Sequence, residues 1–170
     1  SVASRAFIRQ NGRTLVLPPV PEGVNSYAVA AASSEKILVR GRVGAYTRSF
    51  AYFDDTYMDL GILPGFDVVL AHGLNAQGTV VGTVRRLSPT IDVPFIWHKG
   101  VLHDLSDFLA PDLPLRVTAA GRILDDGTIV ASASFSGDRV STVLVPVWAT
   151  ADTDANCVVN VDDLTRVILD

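Results

Sequence analysis

Apolar and polar residues alternate along most of this chain in short runs, and almost nowhere do they follow the 3.6-residue period of an amphipathic helix. Runs at 50–53, 57–60, Val68–Leu74, 79–85, 94–98, 101–105, 115–119 and 128–134 read as strands, rich in Val, Ile, Phe, Tyr and Thr. Turn formers punctuate them: Asp54-Asp55, Leu63-Pro64-Gly65-Phe66 and Asn75-Ala76-Gln77-Gly78. One helical turn is expected near 105–109, and a last apolar strand over 140–147.

The pattern repeats. Phe7, Phe50 and Phe95 fall into register, 43 and 45 residues apart. Five positions after each stands a turn former (Gly12, Asp55, Gly100), and ten after each a leucine (Leu17, Leu60, Leu105). Ala28 then matches Ala71, and Ile37-Leu38 matches Val80-Val81. The third copy reaches its equivalent, Gly127-Thr128-Ile129-Val130, four residues late, with the extra length in 106–114. Such a period marks a propeller, solenoid or array. Four short strands per repeat, over about 5–47, 48–92 and 93–139, predict an all-β fold of four-stranded antiparallel units in domain 1–147. The architecture expected is a partial β-propeller of about three blades. The final strand, 140–147, would start another blade or complete the first. An open β-solenoid or a sandwich is the competing architecture. Closed propellers have about 4–8 blades, so the expectation is a fragment or processed chain with its true beginning missing; the start at Ser1 without Met or a signal peptide fits this.

The blocks Ala6-Phe7-Ile8, Ser49-Phe50-Ala51-Tyr52 and Pro94-Phe95-Ile96-Trp97 resemble the opening of the bacterial extracellular HAF repeat. Met58-Asp59-Leu60-Gly61 and Asn75-Ala76-Gln77-Gly78-Thr79-Val80-Val81-Gly82 are similar to its Asp-Leu-Gly turn and Asn-x-x-Gly-x-Val-Val-Gly hairpin. Val143-Leu144-Val145-Pro146-Val147 is similar to the apolar strand that often ends such arrays. The resemblance covers roughly 5–147, and Glu35-Lys36 replaces the Gln-Gly turn in the first copy. It implies a secreted or cell-surface protein and says little about chemistry.

Composition narrows the class. The chain has 170 residues, 48% hydrophobic and 19% charged, as a packed domain requires. A net charge of -4 argues against a nucleic-acid surface. No apolar run approaches the ~20 residues that span a bilayer. Cys157 is alone, so no internal disulfide can form.

The sharpest chemical signal lies after a connector at 148–151. Oxygen-bearing side chains of Asp152, Asp154, Asn156, Asn160 and Asp163 occupy positions 1, 3, 5, 9 and 12 of a twelve-residue loop. That is the ligand spacing of a calcium loop, with Val158 offering its backbone carbonyl at position 7. Leu164, Val167 and Ile168 follow at i, i+3, i+4, the pattern of a short exiting helix with Asp162 and Asp163 at its start. Cys157 stands where Gly usually makes the turn, Asp163 where a regulatory loop has Glu, and no helix is expected before the loop. The stretch 152–170 resembles one half of a type I dockerin, with the ligand spacing followed by Val159-Asn160 and Asp163-Leu164. That resemblance implies calcium as the cofactor and a cohesin-like or cell-envelope partner, with recognition residues at Val161 and Asp162. Calcium binding is expected to be weak, since extracellular modules bind at about 10⁻⁴–10⁻³ M.

Other chemistry is thin. His98 and His103 flank the Lys99-Gly100 turn and, with Asp104, form a candidate metal group, but their second-copy counterparts are Phe53 and Met58. They are expected to face solvent, and His72 to be a hydrogen-bonded strand residue. Asp54-Asp55, Asp125-Asp126 and Asp92 are read as turn residues rather than a catalytic pair. No nucleophile elbow, phosphate loop or His-Glu-x-x-His motif occurs. Phe50, Phe95 and Trp97 are expected in the core, with Trp97 or Tyr52 a sugar-stacking platform if either lies on an exposed edge. The reading is a non-enzymatic extracellular binding domain, for a carbohydrate or protein ligand, attached through a calcium-binding tail. The alternative is a fragment of a secreted carbohydrate-active enzyme that carries a dockerin.

Overall fold

The computed structural model describes residues 4–110 and 113–146; the linker, the calcium-loop residues Asp152, Asp154, Asn156, Val158, Asn160 and Asp163, and the expected helix lie outside them. The described residues are all-β, with one 3₁₀ turn at Leu105–Phe108 where a helical turn was expected. They form four antiparallel sheets, each a meander of sequential strands.

Strands β1 (Phe7–Gln10) and β2 (Arg13–Val16) make a two-stranded sheet. The first four-stranded sheet holds β3 (Gly23–Ala31), β4 (Lys36–Val43), β5 (Tyr46–Phe53) and β6 (Thr56–Asp59). The second holds β7 (Val68–Leu74), β8 (Val80–Leu87), β9 (Thr90–His98) and β10 (Val101–Asp104). A three-stranded sheet of β11 (Arg116–Ile123), β12 (Ile129–Phe135) and β13 (Asp138–Leu144) ends the described fold.

The hydrogen-bonded units are offset by half from the sequence repeats. The stretch 48–92 contains the two strands that end the first four-stranded sheet, β5 and β6, and the two that begin the second, β7 and β8. A repeat of sequence is set by chain distance, whereas a sheet is set by which strands pair. The expected terminal strand is β13; it pairs with β12 as the third strand of its sheet and starts no new one.

Register confirms that the three larger sheets share one plan. In β3, β7 and β11 the ladder shifts at the same place: after Ala28, after Ala71 and after Ala120. Each shift leaves one extra residue (Val29, His72 or Gly121), a bulge that sharpens the local twist. Three apolar clusters lie between successive sheets. Ala6, Leu17, Val20, Val39 and Phe50 fill the first, Leu38, Ala51, Ala71, Val80 and Phe95 the second, and Val81, Ile96, Val117, Ala120 and Ala131 the third. Phe50 and Phe95 are 2% and 0% exposed, as the alternation requires. Burying a side chain of that size contributes roughly 1.5–3 kcal/mol.

Gly82 shows how closely the layers approach. A Cβ there would lie 2.3 Å from Leu70 O and 2.7 Å from the Phe95 ring, so only glycine lets the phenylalanine lie flat across the sheet.

Candidate functional site

The first strand of each sheet is an edge strand, and its outward backbone groups need partners. On β7 they come from the preceding sheet. Ser49 Oγ donates to Val69 O at 2.8 Å and accepts from Ala71 N at 3.2 Å. Arg40 Nη2 donates to Ala71 O at 2.6 Å, and its guanidinium stands 5.8 Å from the Tyr27 ring centroid. His72, the bulge residue, lies next along β7. Burial, and then the charge of Arg40, hold its pKa below the usual histidine value. A neutral, half-buried His72 agrees with the expectation of a strand residue.

At one end of the sheets the inner hairpin turns join in a row. Each closes the same way, with Ala32 N, Asn75 N and Leu124 N donating to Lys36 O, Thr79 O and Thr128 O. Lys36 Nζ donates to Ala76 O, Ala76 N donates to Asp125 Oδ1 at 2.8 Å, and Asn75 Nδ2 donates to Leu124 O at 3.3 Å. Asp126 accepts from Thr128 N at 2.9 Å, and this bond holds its carboxyl below the usual range. The pair Asp125-Asp126 is thus used in the turn, as expected.

Asp92 is not a turn residue. It lies in β9 and pairs through both oxygens with Arg85, at 2.6 and 2.8 Å. The Arg85 hydrogen bonds depress its pKa despite some desolvation. The histidines beside the β9–β10 turn, expected to face solvent, are half-buried. His98 Nδ1 is 3.0 Å from Thr79 Oγ1, and His103 meets the Phe108 ring edge-on at 5.7 Å. Among the described residues no group of three or more His, Cys, Asp or Glu side chains converges as a metal site. Trp97 and Tyr52 are 2% and 4% exposed, so neither offers an open stacking platform. Trp97 packs edge-on against Phe53, and Tyr52 meets Tyr57 at a tilt of 52°.

One concave surface gathers several of these features. A groove of ≈ 820 Å³ opens between the β1–β2 hairpin and the first four-stranded sheet. Ile8 and Leu15 give it an apolar side, while Arg13, Glu35, Asp54 and Asp55 surround it with charge. The Tyr52 hydroxyl reaches its wall and donates to Asp55 Oδ1 at 3.0 Å. Burial, and then Asp55, raise the Tyr52 pKa, so it stays a neutral donor. The turns Asn11-Gly12, Lys99-Gly100 and Ser136-Gly137 pair one left-handed residue with a glycine. The Asp54-Asp55 turn between β5 and β6 is equivalent to the first two of these, and there Asp55 takes the glycine place at φ 62°. A non-glycine residue there costs about 1 kcal/mol, so this carboxylate is held where backbone preference would not put it.

The sequence flagged Tyr52 and the Asp54-Asp55 turn. It did not flag Arg40 or Ser49, although each is a polar residue inside an apolar strand run. It did not bring the β1–β2 hairpin against Tyr52, a contact between parts of the chain more than 35 residues apart. Comparison with known protein families, with characterised proteins and with solved structures finds no match.

Proposed function

We propose that this chain is part of a secreted or surface β-propeller-like repeat domain that binds a ligand, without catalysis, and is attached through a dockerin-like calcium tail. The observation that carries the reading is the shared plan of the three larger sheets: one meander, one bulge position and one face-to-face packing. Blades of a propeller are built this way, and rigid stacking fixes the loop ends that a binding surface needs. Of the candidate carboxylates, Asp92 pairs with Arg85 and Asp125 and Asp126 serve turns, while Asp54 and Asp55 line the groove, where Asp55 accepts from Tyr52.

The groove beside Tyr52 is the proposed ligand surface. Its mixture of carboxylate, guanidinium and hydroxyl groups above an apolar side suits a hydroxyl-rich ligand such as a carbohydrate. For the tail, the support is the ligand spacing of Asp152, Asp154, Asn156, Val158, Asn160 and Asp163.

Calorimetric titration with Ca²⁺ tests the tail, with an Asp152→Ala/Asp163→Ala variant beside the parent chain. Heat that is lost in the variant supports the ligand set; equal heats in both overturn it. A glycan array probed with the parent chain and with Tyr52→Phe/Asp55→Asn tests the groove. Binding unaffected by the double substitution would place the ligand elsewhere.

A further inference from the structure

The last sheet has an apolar face that none of the described residues covers. Its positions are known from the two sheets before it, because register makes them equivalent. Leu38 in the first sheet pairs with Ala51, Val81 in the second pairs with Ile96, and Val130 in the third pairs with Val143. The first two pairs are sealed by the next sheet, with Leu38, Ala51 and Val81 at 0% exposure and Ile96 at 4%. Val130 and Val143 are 40% and 57% exposed, and Val145, on the same side, is 61% exposed. A contiguous apolar patch at a position otherwise used for packing marks a docking face.

Another sheet of the same kind would meet a larger residue here than the earlier interfaces present. In the second sheet the residue beside Val81 is Gly73, and a Cβ there would lie 2.9 Å from Arg122 Cα in the overlying strand. The backbone of the next sheet rests on that glycine, and Ala30 holds the same place in the first sheet, so both covered interfaces have a small residue there. The residue at that place in the third sheet is Arg122, paired with Val130. Its side chain stands where the backbone of a further sheet would lie. The same crowding at Arg122 would meet a second copy stacked head-to-tail.

We propose that the chain's own segment 147–170 covers this face. Its sequence carries the complementary features. Leu164, Val167 and Ile168 offer an apolar stripe to Val130, Val143 and Val145. The segment holds five of the eighteen acids and one of the fourteen basic residues of the chain, while Arg116 and Arg122 line the face it would meet. It also starts in the right place. Pro146 abuts the β11–β12 turn, its Cγ 3.1 Å from where a Cβ of Gly127 would be. Sixteen residues lie between Val147 and Leu164, ample reach across one sheet. Docking in this way turns the tail into the cap of the repeat stack, a role separate from its calcium ligands.

Hydrogen exchange on the full chain tests this, in EDTA and again in Ca²⁺, at two protein concentrations, beside a Val130→Asp/Val143→Asp variant. Both substitutions are at exposed positions, and protected β8 amides report that the fold is intact. The expected result is that amides 164–169 exchange about tenfold or more slowly than in a free peptide of that sequence, independently of protein concentration, and that the variant abolishes this. Free-peptide rates in the parent chain under both conditions would overturn the proposal. So would protection that disappears on dilution, which means docking in trans, or protection that survives in the variant. Because the readout is the variant's effect, a tail that binds no calcium but docks in EDTA leaves the proposal standing.

Discussion

Ser49 Oγ lies 3.2 Å from Ala71 N and bridges two sheets that share no backbone ladder. The serine is 1% exposed, and its second bond, to Val69 O, completes the edge of β7. The equivalent serine in the preceding layer sits on the other strand: Ser26 Oγ accepts from Ala6 N at 3.2 Å. In the last interface the place of Ser49 is taken by Pro94, and the contact is made by apolar side chains.

Replacing Ser49 with Ala is expected to destabilise the fold by about 1–3 kcal/mol, because it strands a buried donor and acceptor. Urea unfolding with an unchanged m-value would measure it; a loss below about 0.5 kcal/mol would show that water replaces the hydroxyl.

His72 predicts a pH dependence. Its folded pKa is lowered by burial and by Arg40, so the unfolded chain binds the proton more readily. The stabilisation is full above the unfolded value, about 6.5, and declines as pH falls through the window down to the folded pKa. Replacing Arg40 with Gln removes the second cause and should raise the His72 pKa, read by NMR titration of the imidazole. An unmoved or lowered pKa would refute the contact.

The Arg85–Asp92 pair acts in a lower window. Asp92 is depressed mainly by its Arg85 hydrogen bonds, so its contribution is present above about 3.9 and is lost as pH falls through the folded value. Both side chains are more than a third exposed or close to it, at 40% and 34%. Asp92→Asn should therefore cost no more than about 1 kcal/mol at neutral pH, and less in high salt. Thermal melts at pH 7 and at pH 3 check this, with the two proteins converging at the lower pH.

Two glycines should respond oppositely to alanine. Gly82→Ala would press a methyl into Leu70 O and Ala71 Cα, backbone that cannot yield cheaply, and is expected to cost upwards of about 2 kcal/mol. At Gly121 the nearest atom would be Val130 O at 3.4 Å, an ordinary contact. Gly121→Ala should be neutral or stabilising by up to about 1 kcal/mol. Matched stabilities for the two variants, by urea unfolding, would contradict the packing described at Gly82.

Asp55→Gly should separate strain from function. Relief of the left-handed conformation, about 1 kcal/mol, offsets loss of the Tyr52 hydrogen bond, about 0.5–1.5 kcal/mol. Stability measured in urea should change little while ligand capture at the groove falls; a large loss of stability would make Asp55 structural.

Alternation, turn residues and the spacing of Phe7, Phe50 and Phe95 were enough to establish an all-β chain of repeated units, because side-chain direction in a strand depends only on near neighbours. Val68–Leu74 is the clearest case, a strand whose bounds could be read directly. Pairing was not legible in that way. Asp92 reads as a turn residue from the sequence, yet the ladder from β8 carries β9 through it. Burial was less legible still. Leu38, Val81 and Val130 are equivalent in sequence pattern and in register, but two are sealed and one is open. Local chemistry sets which way a residue points along its own strand; whether another sheet arrives to remove it from water depends on long-range packing, and only the tertiary structure decides that.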